Sequence, residues 1–233
     1  MIDSGAELGR NLDRIHGGIT AAAERAGRDP GAVLLVAVAK RQPVEAVEMA
    51  VAAGVRDIGE NYVSELAAKR EAVDADGLRW HFVGALQSST AHRVADLADV
   101  VHSVGSAHAA GRLAARAVRD GRTVPALVQV DFTGTGGRNG VPPGETAATV
   151  RALRDLDGIE VRGLMTVPPF DPDPEAARPF FRRLRELRDA AAEGPGDLPE
   201  LSMGMSGDYE VAVEEGATMV RIGTALFGSR PTE

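Results

Sequence analysis

A lysine, Lys40, closes the apolar run 34–39 in "LLVAVAK". Far along the chain, "GMSGD" and "VRIGTALFG" place Ser206, Gly207, Arg221, Gly223 and Thr224 at what read as strand ends. Two kinds of chemistry suit these residues. A lysine at the end of a buried strand either snorkels to water or acts as a Schiff-base lysine. In the second case desolvation and neighbouring cations must lower its ordinary pKa of about 10.4 before the neutral amine attacks a carbonyl. Exposed backbone N–H groups at a helix start, with a hydroxyl beside them, make an anion site, and barrels often hold phosphate after strands seven and eight. One Gly-Thr pair is ordinary turn chemistry, but two such loops on adjacent strands favour a phosphate. Arg221 lies two residues before Gly223 and so faces the same side of its strand. Its partner is either a carboxylate such as Glu60, in a structural salt bridge, or a heteroatom of a bound ring.

The other titratable residues offer less. His16, His92 and His108 fall on helix surfaces, and no histidine pair has metal-ligand spacing. His81 and His102 alternate with apolar neighbours on strands and read as satisfied core histidines. Glu214 and Glu215 read as a solvated helix face. Arg182, Arg183, Arg185 and Arg188 are interleaved with Glu186 and Asp189, which predicts surface pairing rather than a nucleic-acid patch.

The elements that must position these residues alternate along the chain. Leu8, Leu12, Ile15 and Ile19 mark an amphipathic first helix over 6–26. After the breakers Gly27, Pro30 and Gly31, the run 33–39 reads as a strand buried on both faces, as parallel sheets produce. Seven further strands follow in "VRDIGE", "LRWHFVG", "VVHSVG", "VPALVQVDF", "VRGLMTV", "LPELSMG" and "TMVRIG". Helices are expected between them, among them 43–53, 62–73, 89–97, 107–119, 145–156 and a long charged one over 174–193. Eight strands with intervening helices, and no G-x-G-x-x-G after the first, predict an α/β protein: one (β/α)8 TIM barrel with an extra N-terminal helix, residues 1–233 as a single domain. All strands of such a barrel end at one face. Lys40, Glu60, Asn61, Gly84, Met165, Ser206 and Arg221 are therefore expected to share one mouth.

Composition sets limits. A net charge of −8 argues against a nucleic-acid groove or an anionic membrane surface. With no cysteine there is no disulfide, thiolate catalysis or cysteine-based zinc site. No signal-type apolar core opens the chain and no apolar run nears the roughly 20 residues of a spanning helix, so a cytoplasmic protein is expected.

"VAVAK", "DIGENYVSE", "RWHFVGALQ", "GLMTV" and above all "SMGMSGDYEVAVEEGATMVRIGTALFG" resemble the pyridoxal 5′-phosphate homeostasis protein family, from about Leu34 to Gly228. The resemblance implies a barrel similar to the N-terminal domain of alanine racemases, with pyridoxal 5′-phosphate (PLP) carried on Lys40 as a Schiff base. It further implies that Ser206, Gly223 and Thr224 hold the phosphate, that Arg221 approaches the pyridine nitrogen, and that Asn61 and Met165 line the ring pocket. An arginine at that nitrogen disfavours its protonation and weakens the ring as an electron sink. With one barrel and no second catalytic base in view, the implied role is a monomeric carrier of PLP with PLP-dependent apo-enzymes as recipients. The competing readings are a PLP-dependent amino-acid racemase and a phosphate-binding barrel acting on a sugar phosphate. Three departures from the family pattern stand out. Ala39 replaces a serine, so a hydroxyl near the Schiff base is expected to be missing; Ser88, Ser89 and Thr90 follow "GALQ" where Asn-Lys is usual; and Arg138 stands where lysine is common. The last two weaken any cationic entry route or second phosphate site at the mouth.

Overall fold

In the computed structural model, which describes residues 4–134 and 139–228, the chain opens on helix α1 (Gly5–Arg25). Ser4 caps α1 by accepting from the Glu7 N–H, and its buried face carries Leu8, Leu12, Ile15 and Ile19. Eight parallel strands follow: β1 (Leu34–Val38), β2 (Asp57–Glu60), β3 (Arg79–Phe82), β4 (Val100–Val104), β5 (Val124–Val130), β6 (Ile159–Thr166), β7 (Glu200–Ser202) and β8 (Met219–Ile222). They close in sequence order, β1 pairing with β8 in the register Val36–Arg221 and Ala37–Ile222. The fold is the expected (β/α)8 barrel.

The intervening helices are α2 (Val44–Ala52), α3 (Val63–Ala72), α4 (Ala91–Leu97), α5 (Ala107–Arg119), α6 (Thr146–Arg154), α7 (Arg178–Ala191) and α8 (Tyr209–Glu214), with a last short helix α9 (Thr224–Phe227). The period-2 alternation of strands sorts side chains into two layers. Leu35, Ala37, Ile58, Trp80, Val101, Leu164 and Val220 join the core under the helices, whereas Val100, Leu127 and Met165 form a smaller cluster of their own. Helix α1 braces the far side of α9: Asn11 Nδ2 donates to the Leu226 carbonyl at 3.0 Å, and Arg14 to that of Ala225 at 3.2 Å.

Two expectations change. The long helix predicted over 174–193 is a 3-10 turn, Pro174–Ala177, followed by α7. Pro179 lacks an N–H and its ring would clash with a helical carbonyl four residues earlier, so the α-helix begins at its doorstep. Glu214 and Glu215 do not form a solvated face. Because α7 packs beside α8, Arg178 and Arg182 donate to Glu215 at 3.1 and 2.9 Å, and Arg178 and Arg25 reach Glu214 at 2.6 and 2.7 Å. Glu215 is buried. Arg183–Glu186 and Arg188–Asp189 do pair on the surface as expected.

Candidate functional site

The C-terminal ends of the strands open into a cavity of about 660 Å³. Lys40, Asn61, Met165, Ser206, Arg221, Gly223 and Thr224, the seven residues singled out for a bound ring and phosphate, all line it. Lys40 lies two residues past the end of β1, whose apolar residues bury its backbone approach; Lys40 itself is half-buried. Asn61 follows β2 and is pressed by the loop after β3. A Cβ on Gly84 would sit 2.0 Å from the Asn61 carbonyl oxygen, so only glycine permits that contact. Asn61 Oδ1 is buried and has no hydrogen-bond partner, an expensive state unless a ligand supplies the donor.

The loops after β7 and β8 are tied together. The Ala225 N–H, in the first turn of α9, donates to Ser206 Oγ at 3.1 Å, which leaves the serine its own hydrogen to donate. Asp208 closes the Ser206 loop by accepting from the Met205 N–H at 2.6 Å. Burial raises the Asp208 carboxyl above its usual range, against the Met205 hydrogen bond and the charge of Arg221. Asp131, Asp171 and Asp173 bring further carboxylates to the cavity wall.

Arg221 is buried at the cavity floor and is not paired with Glu60. Its Nη1 donates to Ser202 Oγ at 2.7 Å and its Nη2 to the Thr166 carbonyl at 2.8 Å. Burial pushes the guanidinium down to about 10, with the charge of Asp208 opposing. Glu60 faces the opposite layer, because Asp57 and Gly59 take the inward positions of β2 and Glu60 the outward one. It is fully buried and bound to Lys69, a residue of α3 that sequence reasoning missed.

Lys69 is the hub behind Lys40. Its Nζ donates to Glu60 at 2.5 Å, to Glu65 at 3.0 Å and to the Ala39 carbonyl at 2.7 Å. Glu65 accepts from the Arg41 N–H at 2.7 Å, holding a residue whose φ of 60° is left-handed. Glu60 in turn accepts from the Asn61 N–H at 3.2 Å. One ammonium thereby fixes the backbone on both sides of Lys40 and beside Asn61. Burial raises the Glu60 carboxyl above its ordinary range, and the Lys69 bond and charge pull it back. The only trace of this cluster in the sequence was the i,i+4 pair Glu65–Lys69 on a helix.

The three departures are placed differently. Ala39 is fully buried in the core under the helices and is absent from the cavity wall, so a serine hydroxyl there would not face the cavity. Ser88, Ser89 and Thr90 form the turn into α4. Arg138 lies outside the described residues. His16, His92 and His108 are exposed, and His81 and His102 are buried and hydrogen-bonded. No cluster of potential metal ligands exists among the described residues, and no helix there is long and apolar enough to cross a membrane.

A family model described as "Alanine racemase, N-terminal domain" matches residues 11–231. The pyridoxal phosphate homeostasis protein of Aquifex aeolicus is 40% identical over 224 residues, covering 96% of each chain. The chain belongs to the pyridoxal phosphate homeostasis protein family. A solved structure of similar shape is PipY of Synechococcus elongatus, determined with PLP bound: TM-score 0.81 and 35% identity, covering 95% of this chain and 100% of that one. Alanine racemase from Clostridium difficile shares the fold at TM-score 0.74 and 17% identity, covering 98% of this chain and 61% of that one.

Proposed function

We propose that this protein binds pyridoxal 5′-phosphate in the strand-end cavity and serves its homeostasis as a carrier, with Lys40 as the covalent anchor. The observation that carries the reading is the convergence in one cavity of an amine, a buried guanidinium, an unpartnered amide oxygen and two linked glycine-serine loops. That donor set fits the group. The Asn61 amide meets the ring, Arg221 lies on the floor where a cation lowers the basicity of a pyridine nitrogen, and Ser206 with the 223–225 segment takes the phosphate. Bound there, PLP would supply an aldehyde with which the Lys40 amine could condense, with release of water. Residues 1–233 act as one cofactor-binding domain in a cytoplasmic monomer, and apo-enzymes that need PLP are the recipients.

The experiment is borohydride reduction of protein incubated with PLP, followed by mass mapping. A phosphopyridoxyl group on the Lys40 peptide is expected, with none in Lys40→Ala; labelling elsewhere with Lys40 unmodified contradicts the assignment. The carrier role is tested by solvent-deuterium exchange at the α-carbon of amino acids. Little exchange is expected, and rapid turnover would replace the carrier with a racemase.

A further inference from the structure

Beneath Arg221 a line of polar side chains crosses the barrel interior, contributed by β8, β7, β4, β3 and β2. Arg221 Nη1 meets Ser202 Oγ at 2.7 Å, Ser202 Oγ meets His102 Nδ1 at 2.8 Å, His102 Nε2 meets His81 Nδ1 at 2.8 Å, and His81 Nε2 meets Asp57 Oδ1 at 2.8 Å. All five residues are buried. Asp57 is the first residue of β2 and lies at the end of the barrel opposite the cavity, where Arg79 also reaches it at 2.8 Å.

Donor rules settle the direction of every link. An arginine only donates, so Ser202 Oγ accepts from Arg221, and the serine hydrogen must find an acceptor. His102 Nδ1 is the one at hand, which makes it the unprotonated nitrogen and leaves the hydrogen of a neutral ring on Nε2. From the other end, burial pushes the Asp57 carboxyl up, but the hydrogen bonds from His81 and Arg79 outweigh it and leave it below its usual range. A carboxylate only accepts, so His81 carries a hydrogen on Nε2, and as a neutral ring it presents a bare Nδ1. The two derivations meet at the histidine pair, where His102 Nε2–H donates to His81 Nδ1. Running the chain backwards requires a doubly protonated His81 and strands the Ser202 hydrogen in the interior. Burial first, helped by the charge of Arg221, holds His102 well below the ordinary imidazole range, which suits the neutral form.

We infer that Ser202, His102, His81 and Asp57 are positioning residues for Arg221: a one-way hydrogen-bond chain, ended by the Asp57 carboxylate, that fixes the guanidinium at the cavity floor. The consequence for the cofactor rests on the PLP reading above; the chain itself does not.

The test is 15N NMR of ring-labelled histidine in the wild-type protein without PLP, with Asp57→Ala and Asp57→Asn beside it, and PLP titrations of all three. His81 and His102 are expected as neutral Nε2–H tautomers. Asp57→Ala is expected to redistribute the tautomer at both histidines and weaken PLP binding about tenfold, while Asp57→Asn, which keeps an acceptor oxygen, retains both more closely. A role in packing alone would leave the His102 tautomer unmoved in Asp57→Ala. An Nδ1–H tautomer or an imidazolium at His102 in the wild type overturns the inference without any variant having to fold. The expected tautomers with no PLP uptake would uphold the chain and overturn the cofactor reading instead.

Discussion

Two buried polar clusters reach the cavity from opposite layers of the barrel wall. The inner one ends at Arg221 and passes through two histidines and a serine to Asp57, each link a single hydrogen bond. The outer one, under α3, sets a single lysine between two carboxylates and the backbone beside Lys40. The inner chain depends on direction, because Ser202, His102 and His81 each both donate and accept between an arginine that only donates and a carboxylate that only accepts. The outer cluster depends on charge, because Lys69 is 4% exposed and Glu60 0%. A directional chain loses its partners one at a time, whereas a charged cluster that loses one member leaves the others buried and uncompensated.

The largest effect is therefore expected at the outer cluster. Lys69→Ala strands Glu60 and is expected to cost about 3–5 kcal/mol in urea unfolding. The pair Lys69→Met with Glu60→Leu removes both charges and should recover most of that loss. It should not recover Lys40: with the Ala39 carbonyl and Arg41 released, borohydride trapping of PLP stays impaired. Equal recovery of stability and trapping would show that the cluster only stabilises.

Ser202→Ala is expected to cost less, about 1–3 kcal/mol, because it leaves Arg221 Nη1 without an acceptor and His102 Nδ1 without a donor. A loss as large as that of Lys69→Ala would erase the distinction between the two clusters.

The mildest effect is in pH. His102 is held below its ordinary range in the fold, so the unfolded chain binds the extra proton. Its contribution is whole above the unfolded pKa of about 6.5 and shrinks as pH falls below it, by at most about 1.4 kcal/mol per unit. The difference in stability between wild type and His102→Gln should narrow between pH 7 and pH 5. A difference independent of pH would mean that His102 is not held neutral.

The inner positions were partly legible in the sequence. Strand ends of a barrel converge, and alternation along "VRIG" put Arg221 on the side of Gly223. The same alternation applied to "DIGE" turns Glu60 outward and Asp57 inward, which rules out the Glu60–Arg221 pairing. His81 and His102 read as satisfied core histidines, but the partners that satisfy them did not, since His102 and Ser202 are 100 residues apart and meet only across the closed barrel. Lys69 looked like any helical lysine near a glutamate; its burial comes from the packing of α3 on β2 and β3, which no local pattern encodes. Likewise the burial of Glu215 depends on which face α7 turns to α8.

The central claim is that both clusters serve one cofactor gripped at Lys40 and Arg221. A crystal structure of the protein soaked with PLP tests it most directly. Density continuous with Lys40 Nζ, the ring nitrogen beside Arg221 and the phosphate against Ser206 and the 223–225 segment is the predicted result. PLP bound away from this cavity, or a ring nitrogen turned from Arg221, would contradict it.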